Sequence, residues 1–282
     1  MLIIIIFLVF LALGYVIGKI YAGYFFVIMI ISIVISISYI LITYYNSDKI
    51  ALASVRAKLA NREQYKQLYN SVEGLTLASG LPMPKIYIME SEQINAFASG
   101  RNPQNSVVCV TTGTLKKLDK QELEGVLAHE LSHIANYDIK FMTLVAVMVG
   151  LIAIVSEIFL RSLWFGGGGK DREGKGNAIL MLIGILLAIL APIVVQLVQL
   201  AISRKREYVA DASAVKFTRY PRGLANALRK IKNDNVSQED AKRYNKATAP
   251  LFISNPFRIQ KMRELTSTHP SLEKRIELLE RM

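Results

Sequence analysis

Two stretches of this chain are almost free of charge over lengths that a small water-soluble core cannot absorb. From Leu2 to Tyr45 the one charged residue is Lys19, flanked by Gly18 and Gly23. A helix needs about 20 apolar residues to cross a bilayer. The stretch therefore reads as two spanning helices, roughly 2–18 and 23–43, joined by a tight turn. A second apolar region runs from Met142 to Ser203 and is interrupted by the polar, glycine-rich segment Gly166–Asn177. It predicts two further spans, roughly 142–164 and 178–202, and no charged residue occurs between Asn177 and Arg204. A cleaved leader fits the first stretch poorly, because no basic segment precedes it and the apolar run is too long. In the third span Glu157 and Arg161 stand four apart, a spacing that suits an ion pair, and Trp164 suits an interface anchor.

The charge is unevenly placed. Residues 203–282 hold eighteen Lys and Arg against nine Asp and Glu, whereas residues 46–140 hold eleven against ten. Arg204-Lys205-Arg206 directly follows the fourth span, while the 18–22 turn has one basic residue and the glycine loop nets +1. The positive-inside tendency then puts both large polar regions in the cytoplasm. A basic surface beside a membrane suits anionic lipid, and no nucleic-acid motif competes with that reading.

Within the polar regions, Leu68, Val72, Leu75 and Leu77 recur at near-helical spacing in 61–80, with Gly80 and Pro82 as stop signals. Lys85–Met89 alternates like a strand; Asn95–Gly100 and Ser106–Thr111 are two more extended segments, with Asn102-Pro103 in the turn between them. Helix returns at Lys120 with Asp119 as its N-cap, carries on towards the third span, and a final helix is expected over 270–280. The one cysteine, Cys109, excludes an internal disulfide and reads as a core residue.

The helix that begins at Lys120 contains His129-Glu130-Leu131-Ser132-His133. Residues four apart share a helix face, so both imidazoles point to one side with the Glu130 carboxylate beside them. This is the H-E-x-x-H arrangement, two metal ligands plus a general base for a metal-bound water. A catalytic zinc needs a third protein ligand. The choices are His269 or a carboxylate, and Glu207 and Asp211 stand four apart just after the fourth span. One of these can ligate while the other accepts a hydrogen bond from a ligating imidazole. Both metal-bearing helices look like extensions of spanning helices, which puts the metal within a few turns of the bilayer.

Four stretches in this order resemble one family: Ile94–Arg101 (INAFASGR), His129–Asn136 (HELSHIAN), Arg206–Asp211 (REYVAD) and Ser267–Pro270 (STHP). They are similar to the HtpX membrane zinc metallopeptidases, gluzincins related to the CAAX prenyl proteases. The resemblance covers nearly the whole chain. It implies proteolytic quality control of membrane or misfolded proteins at the cell membrane, with one Zn2+ held by His129, His133 and Glu207. It implies Glu130 as general base and Asp211 as a partner of His129. His269, with Arg275 as a supporting cation, is the expected oxyanion donor. Asn95, Ala96 and Phe97 are the expected substrate-binding strand; Asn136, one layer behind the metal ligands, and Asp138, both just past the metal motif, read as helix-facing support. Ser271 departs from a second proline that many relatives show, and Pro270 also suits a helix first turn.

The fold expectation is an α+β membrane protein: four transmembrane helices plus a cytoplasmic zincin-like helical domain with a small β-sheet. Its segments are an N-terminal hairpin (1–45), a first catalytic part (46–141), a second hairpin (142–202) and a second catalytic part (203–282). Other functions fit less well. A prenyl-processing peptidase has a larger membrane chamber than four spans build. An inactive zinc scaffold has no use for Glu130. A transporter needs charges deep in its spans, and the first, second and fourth supply none.

Overall fold

Helices α1 (Leu2–Ile20) and α2 (Phe25–Ser54) are connected through a 3-10 turn at Ala22–Tyr24, about two residues beyond the tight connection that the sequence predicts. The computed structural model describes residues 2–20, 22–142, 145, 184, 204–234, 252–253 and 270–282. Nearly all of the expected third and fourth spans, with Glu157, Arg161 and Trp164, lies outside the described residues, as does nearly all of the polar stretch after Asn233. Helices α1 and α2 pack as an antiparallel pair. The ring of Phe10 meets that of Tyr39, and Gly14 lies so close to Ser32 that a Cβ there would clash with its side chain. Ile30, Val34 and Leu41 point outward, an apolar exterior suited to lipid. Among the described residues, one helical stretch is long and apolar enough to cross a membrane, Phe25–Asn46, with mean hydropathy 2.9. Asn46 then departs from helical geometry (φ −119°, ψ 20°), and contacts divide the chain there into two units, Ser47 belonging to the second.

The second unit is built on a mixed four-stranded sheet of order β1-β2-β4-β3, with β1 Lys58–Leu59, β2 Lys85–Met89, β3 Ala96–Asn102 and β4 Asn105–Thr111. Strands β2 and β4 are parallel; β3 folds back antiparallel on β4, pairing Phe97 with Cys109 and Ala98 with Val108. The sheet is buried on both faces, which explains why β4 reads as a continuous apolar run rather than an alternating one. On one face Ile86, Ile88, Ala98, Val108 and Val110 join a large core with the helices. On the other, Met89, Phe97, Val107 and Cys109 pack with Leu52, Val55 and Phe252. Cys109 is fully buried, and burial pushes its thiol well above the ordinary cysteine value.

Helix α3 (Lys66–Ser79) ends at Gly80, whose left-handed φ of 71° lets its N–H reach Thr76 O. A short helix α4 (Thr112–Lys117) follows β4 directly, and α5 (Lys120–Ala135) opens on a capping box. Asp119 Oδ1 accepts from Glu122 N at 2.9 Å, and Glu122 Oε2 accepts from Asp119 N at 2.8 Å. Asp119→Ala should therefore lower stability by about 1 kcal/mol, read as a lower melting temperature with unchanged metal affinity, since the cap lies at the far end of α5 from the histidines.

Helix α5 does not run on without a break. It stops at Asn136, Tyr137 adopts a left-handed φ of 58°, and helix resumes at Asp138. Among the described residues, the longer helices that follow are α6 (Arg204–Thr218), α7 (Pro221–Asn233) and α8 (Leu272–Glu280). Helix α7 packs so tightly on α5 that a Cβ at Gly125 would lie 2.5 Å from Leu224 N. The last helix begins two residues later than expected: Ser271 caps it by accepting from Lys274 N at 3.3 Å, with Pro270 outside.

Candidate metal centre

Along α6 the buried residues are Glu207, Ala210, Asp211 and Ala214, a single helical stripe that faces the core. In α5 the whole run from Gly125 to Ile134 is buried, so both histidines and Glu130 sit in the interior rather than on a solvated face. The two stripes meet. One donor atom from each of His129, His133 and Glu207 falls within a group no more than 4.8 Å across, all three side chains being buried. Glu207 lies 3.7 Å from each imidazole, through Oε2 to Nε2 of His129 and Oε1 to Nε2 of His133.

Both rings are held from behind by a carboxylate. His129 Nδ1 is 3.0 Å from Asp211 Oδ1, and His133 Nδ1 is 3.2 Å from Asp138 Oδ2. An ionised carboxylate only accepts, so these contacts favour a proton on each Nδ1 and leave each Nε2 lone pair facing Glu207. Two imidazole nitrogens and a carboxylate oxygen are the donor set of a catalytic zinc site. The residues present fit the ion.

Arg275 completes the cluster from α8, fully buried. It donates from Nε to Asp211 Oδ2 at 2.8 Å, from Nη2 to Asp211 Oδ1 at 2.6 Å, and from Nη1 to Glu207 Oε2 at 3.2 Å. Its Nη2 is also nearly equidistant from the two ring nitrogens of His129, at 3.3 and 3.4 Å, which places it against the ring rather than on one lone pair. The guanidinium is thus directed at the carboxylates. Burial alone would raise the Asp211 carboxyl, but the charge of Arg275 and the His129 hydrogen bond hold it below the ordinary aspartate value.

Glu130 is 3 % exposed, and its Oε2 accepts from Ala98 N of β3 at 2.8 Å. Burial pushes its carboxyl above the usual range, against the lowering influence of the two histidines. For His133, burial works to lower the value, but the Asp138 hydrogen bond and the charges of Glu207 and Glu130 outweigh it and the net shift is upward.

The remaining sequence-named residues are placed as follows. Asn95 is 2 % exposed; its N–H faces Thr111 Oγ1 and Thr114 Oγ1, and its Oδ1 accepts from Ala96 N at 3.1 Å. Ala96 lies on the helix-facing core, while the Phe97 side chain points into the opposite core and meets Phe252 edge-on. Asn136 is exposed and ends α5, and the side chain that meets His133 is that of Asp138. His269 lies outside the described residues. The contacts of Ala98 N–H and the specific pairing of Asp138 with His133 were not read from sequence. An aspartate shortly after a helix-stopping Asn-Tyr was the available signal for the second.

Comparison with known proteins agrees with this geometry. The model of peptidase family M48 matches residues 62–282. A protease HtpX homolog of Caldanaerobacter subterraneus is 49% identical over 241 residues, 84% of this chain and 79% of the relative. One from Pyrococcus furiosus is 43% identical over 254 residues, 90% of this chain and 86% of the relative. The crystal structure of S. mikatae Ste24p superposes with a TM-score of 0.50 at 21% identity, covering 96% of this chain. This chain spans 61% of the length of that one, and the likeness shows a shared fold. With two helices converging a histidine pair and a glutamate on one buried point, the chain belongs to peptidase family M48, as a metalloprotease of the HtpX type.

Proposed function

We propose that this protein is an integral-membrane zinc endopeptidase that cleaves membrane or misfolded proteins at the cytoplasmic face, with His129, His133 and Glu207 as the zinc ligands. The observation that carries the reading is the buried His129–His133–Glu207 cluster with Glu130 beside it. The apolar Phe25–Asn46 helix and the basic bias of residues 203–282 support the membrane placement and its cytoplasmic orientation. Zinc in this donor set supplies a Lewis acid that polarises a scissile carbonyl and acidifies water.

The chain's own groups do the rest. Glu130 takes the proton of the attacking water and returns it to the departing amine. The Ala98 N–H on Oε2 steadies its carboxylate. Asp211 holds the His129 imidazole in the tautomer that offers Nε2. Strand β3 is an outer strand of the sheet and lies against the metal helix, a position suited to taking substrate as an added strand through backbone bonds. Its edge already accepts one such bond, from Ile253 N to Ala96 O at 3.2 Å. Asn95, Ala96 and Phe97 act here through the course of their backbone, since their side chains are buried. The oxyanion role falls to His269, and Arg275 serves as the counter-charge to Asp211 and Glu207.

The test is cleavage of a membrane protein bearing a misfolded cytoplasmic domain, by purified protein in detergent or proteoliposomes. Cleavage that stops after zinc chelation and returns with zinc supports the proposal. Full zinc occupancy with no cleavage across several such substrates contradicts it.

A further inference from the structure

Behind His133 lies a second layer that begins with a backbone break. In an uninterrupted helix, residue 138 would project to a different face from residue 133, because five positions turn the helix by about 500°. The left-handed φ of 58° at Tyr137 interrupts α5, and Asp138 then returns under the ring, its Oδ2 3.2 Å from His133 Nδ1. A non-glycine residue at this φ is uncommon and costs conformational energy, so the surroundings must hold it. Asp138 is itself gripped from α6: Arg206 Nη1 lies 3.7 Å from Asp138 Oδ1, and its guanidinium stacks 4.9 Å from the centre of the Phe141 ring. Arg206 immediately precedes Glu207. The first turn of α6 thus reaches His133 by two routes, directly through Glu207 and from behind through Arg206 and Asp138.

We propose that Asp138 is a positioning residue for the metal site, fixing the ring plane and tautomer of His133, and that Arg206 orients Asp138 in turn. The inference rests on the metal reading above. His129 has the corresponding support from Asp211, but that carboxylate is shared with Arg275, whereas Asp138 sits 8 % exposed at the end of the helix break. The Tyr137 turn is therefore part of the metal site, because it sets where the second carboxylate stands.

Removing such a partner typically weakens metal binding by about 10–100-fold. The experiment measures zinc affinity by competition with a chromophoric chelator for the full-length protein and for Asp138→Ala, Asp138→Asn and Arg206→Met. Cobalt-substituted spectra and melting curves of the zinc-free proteins are recorded alongside. Asp138→Ala should lose affinity by about 10–100-fold and shift the cobalt ligand-field bands, because His133 is free to rotate. Asp138→Asn keeps an acceptor for Nδ1–H but not the charge, and should fall between wild type and Asp138→Ala. Arg206→Met should lose no more than about fivefold, the effect of a partly exposed ion pair. Wild-type affinity and an unchanged cobalt spectrum in Asp138→Ala overturn the proposal, even if the zinc-free melting temperature falls, since that is a purely structural role. If Asp138→Ala does not accumulate as folded protein, Asp138→Asn decides: an affinity equal to wild type overturns the proposal and a loss supports it. A wild-type protein that binds no zinc fails the metal reading itself, a result distinct from equal binding by wild type and variant.

Discussion

Glu130→Gln should lower kcat for peptide hydrolysis by roughly 10²–10⁴-fold, the range for loss of a positioned general base, while one zinc stays bound. Glutamine keeps the size of the side chain and an oxygen that can accept from Ala98 N, the contact that steadies Glu130 at 2.8 Å. What it loses is the ability to take a proton. Glu130 is not one of the three residues whose donor atoms cluster, so the ion keeps its ligands. The loss should fall on kcat with KM little changed, because the missing interaction belongs to the transition state. A variant that loses activity and zinc together would instead make Glu130 a support of the metal site. Equal cleavage by both proteins would contradict the mechanism.

The second large effect is expected far from the motif in sequence. Arg275→Met leaves Asp211 and Glu207 buried beside one another without their shared cation. Breaking a buried ion pair by removing one partner costs about 3–5 kcal/mol. The zinc-free protein should then melt lower by on the order of 10 °C. Zinc brings positive charge to the same carboxylates, so the zinc-loaded variant should lose less. Arg275→Lys should fall between, since an ammonium cannot repeat the forked contact with Asp211. The pH dependence has a definite sign. Asp211 is held below its ordinary value in the folded protein, so its stabilisation is present at neutral pH and is lost as pH falls below the ordinary aspartate value. In Arg275→Met that depression shrinks, so less stability remains to be lost to acid. An unchanged zinc-free melting temperature would contradict the assignment of Arg275 as counter-charge.

Local patterns carried much of this structure and distant contacts did not. Strand β2 follows its alternation from Lys85 to Met89, and α5 starts at Lys120 after the expected Asp119 cap. Strand β3 starts one residue later and ends two residues later than Asn95–Gly100, because an irregularity between Gly100 and Asn102 carries the pairing onward. The two-residue β1 exists only through its pairing with β2, and no periodicity can announce so short an element. Helix α7 was legible in principle: Pro221 opens it, and Leu224, Leu228 and Ile231 form its buried stripe. The histidine pair was plain because both members lie on one helix. The role of Arg275 was not, because its partners come from α5 and α6 and only the fold brings α8 against them. Asp138 is named by the sequence as support, but its pairing with His133 depends on a backbone feature, a tyrosine at positive φ, that helix propensity argues against.

Zinc K-edge X-ray absorption on the purified protein, with metal content measured in wild type and in His133→Ala, tests the central claim most directly. The account predicts one zinc per chain, with imidazole nitrogens at about 2.0–2.1 Å, a carboxylate oxygen at about 2.0–2.2 Å and no sulfur in the shell, and loss of the ion in His133→Ala. A sulfur neighbour at about 2.3 Å, or full zinc content after removal of His133, would contradict it.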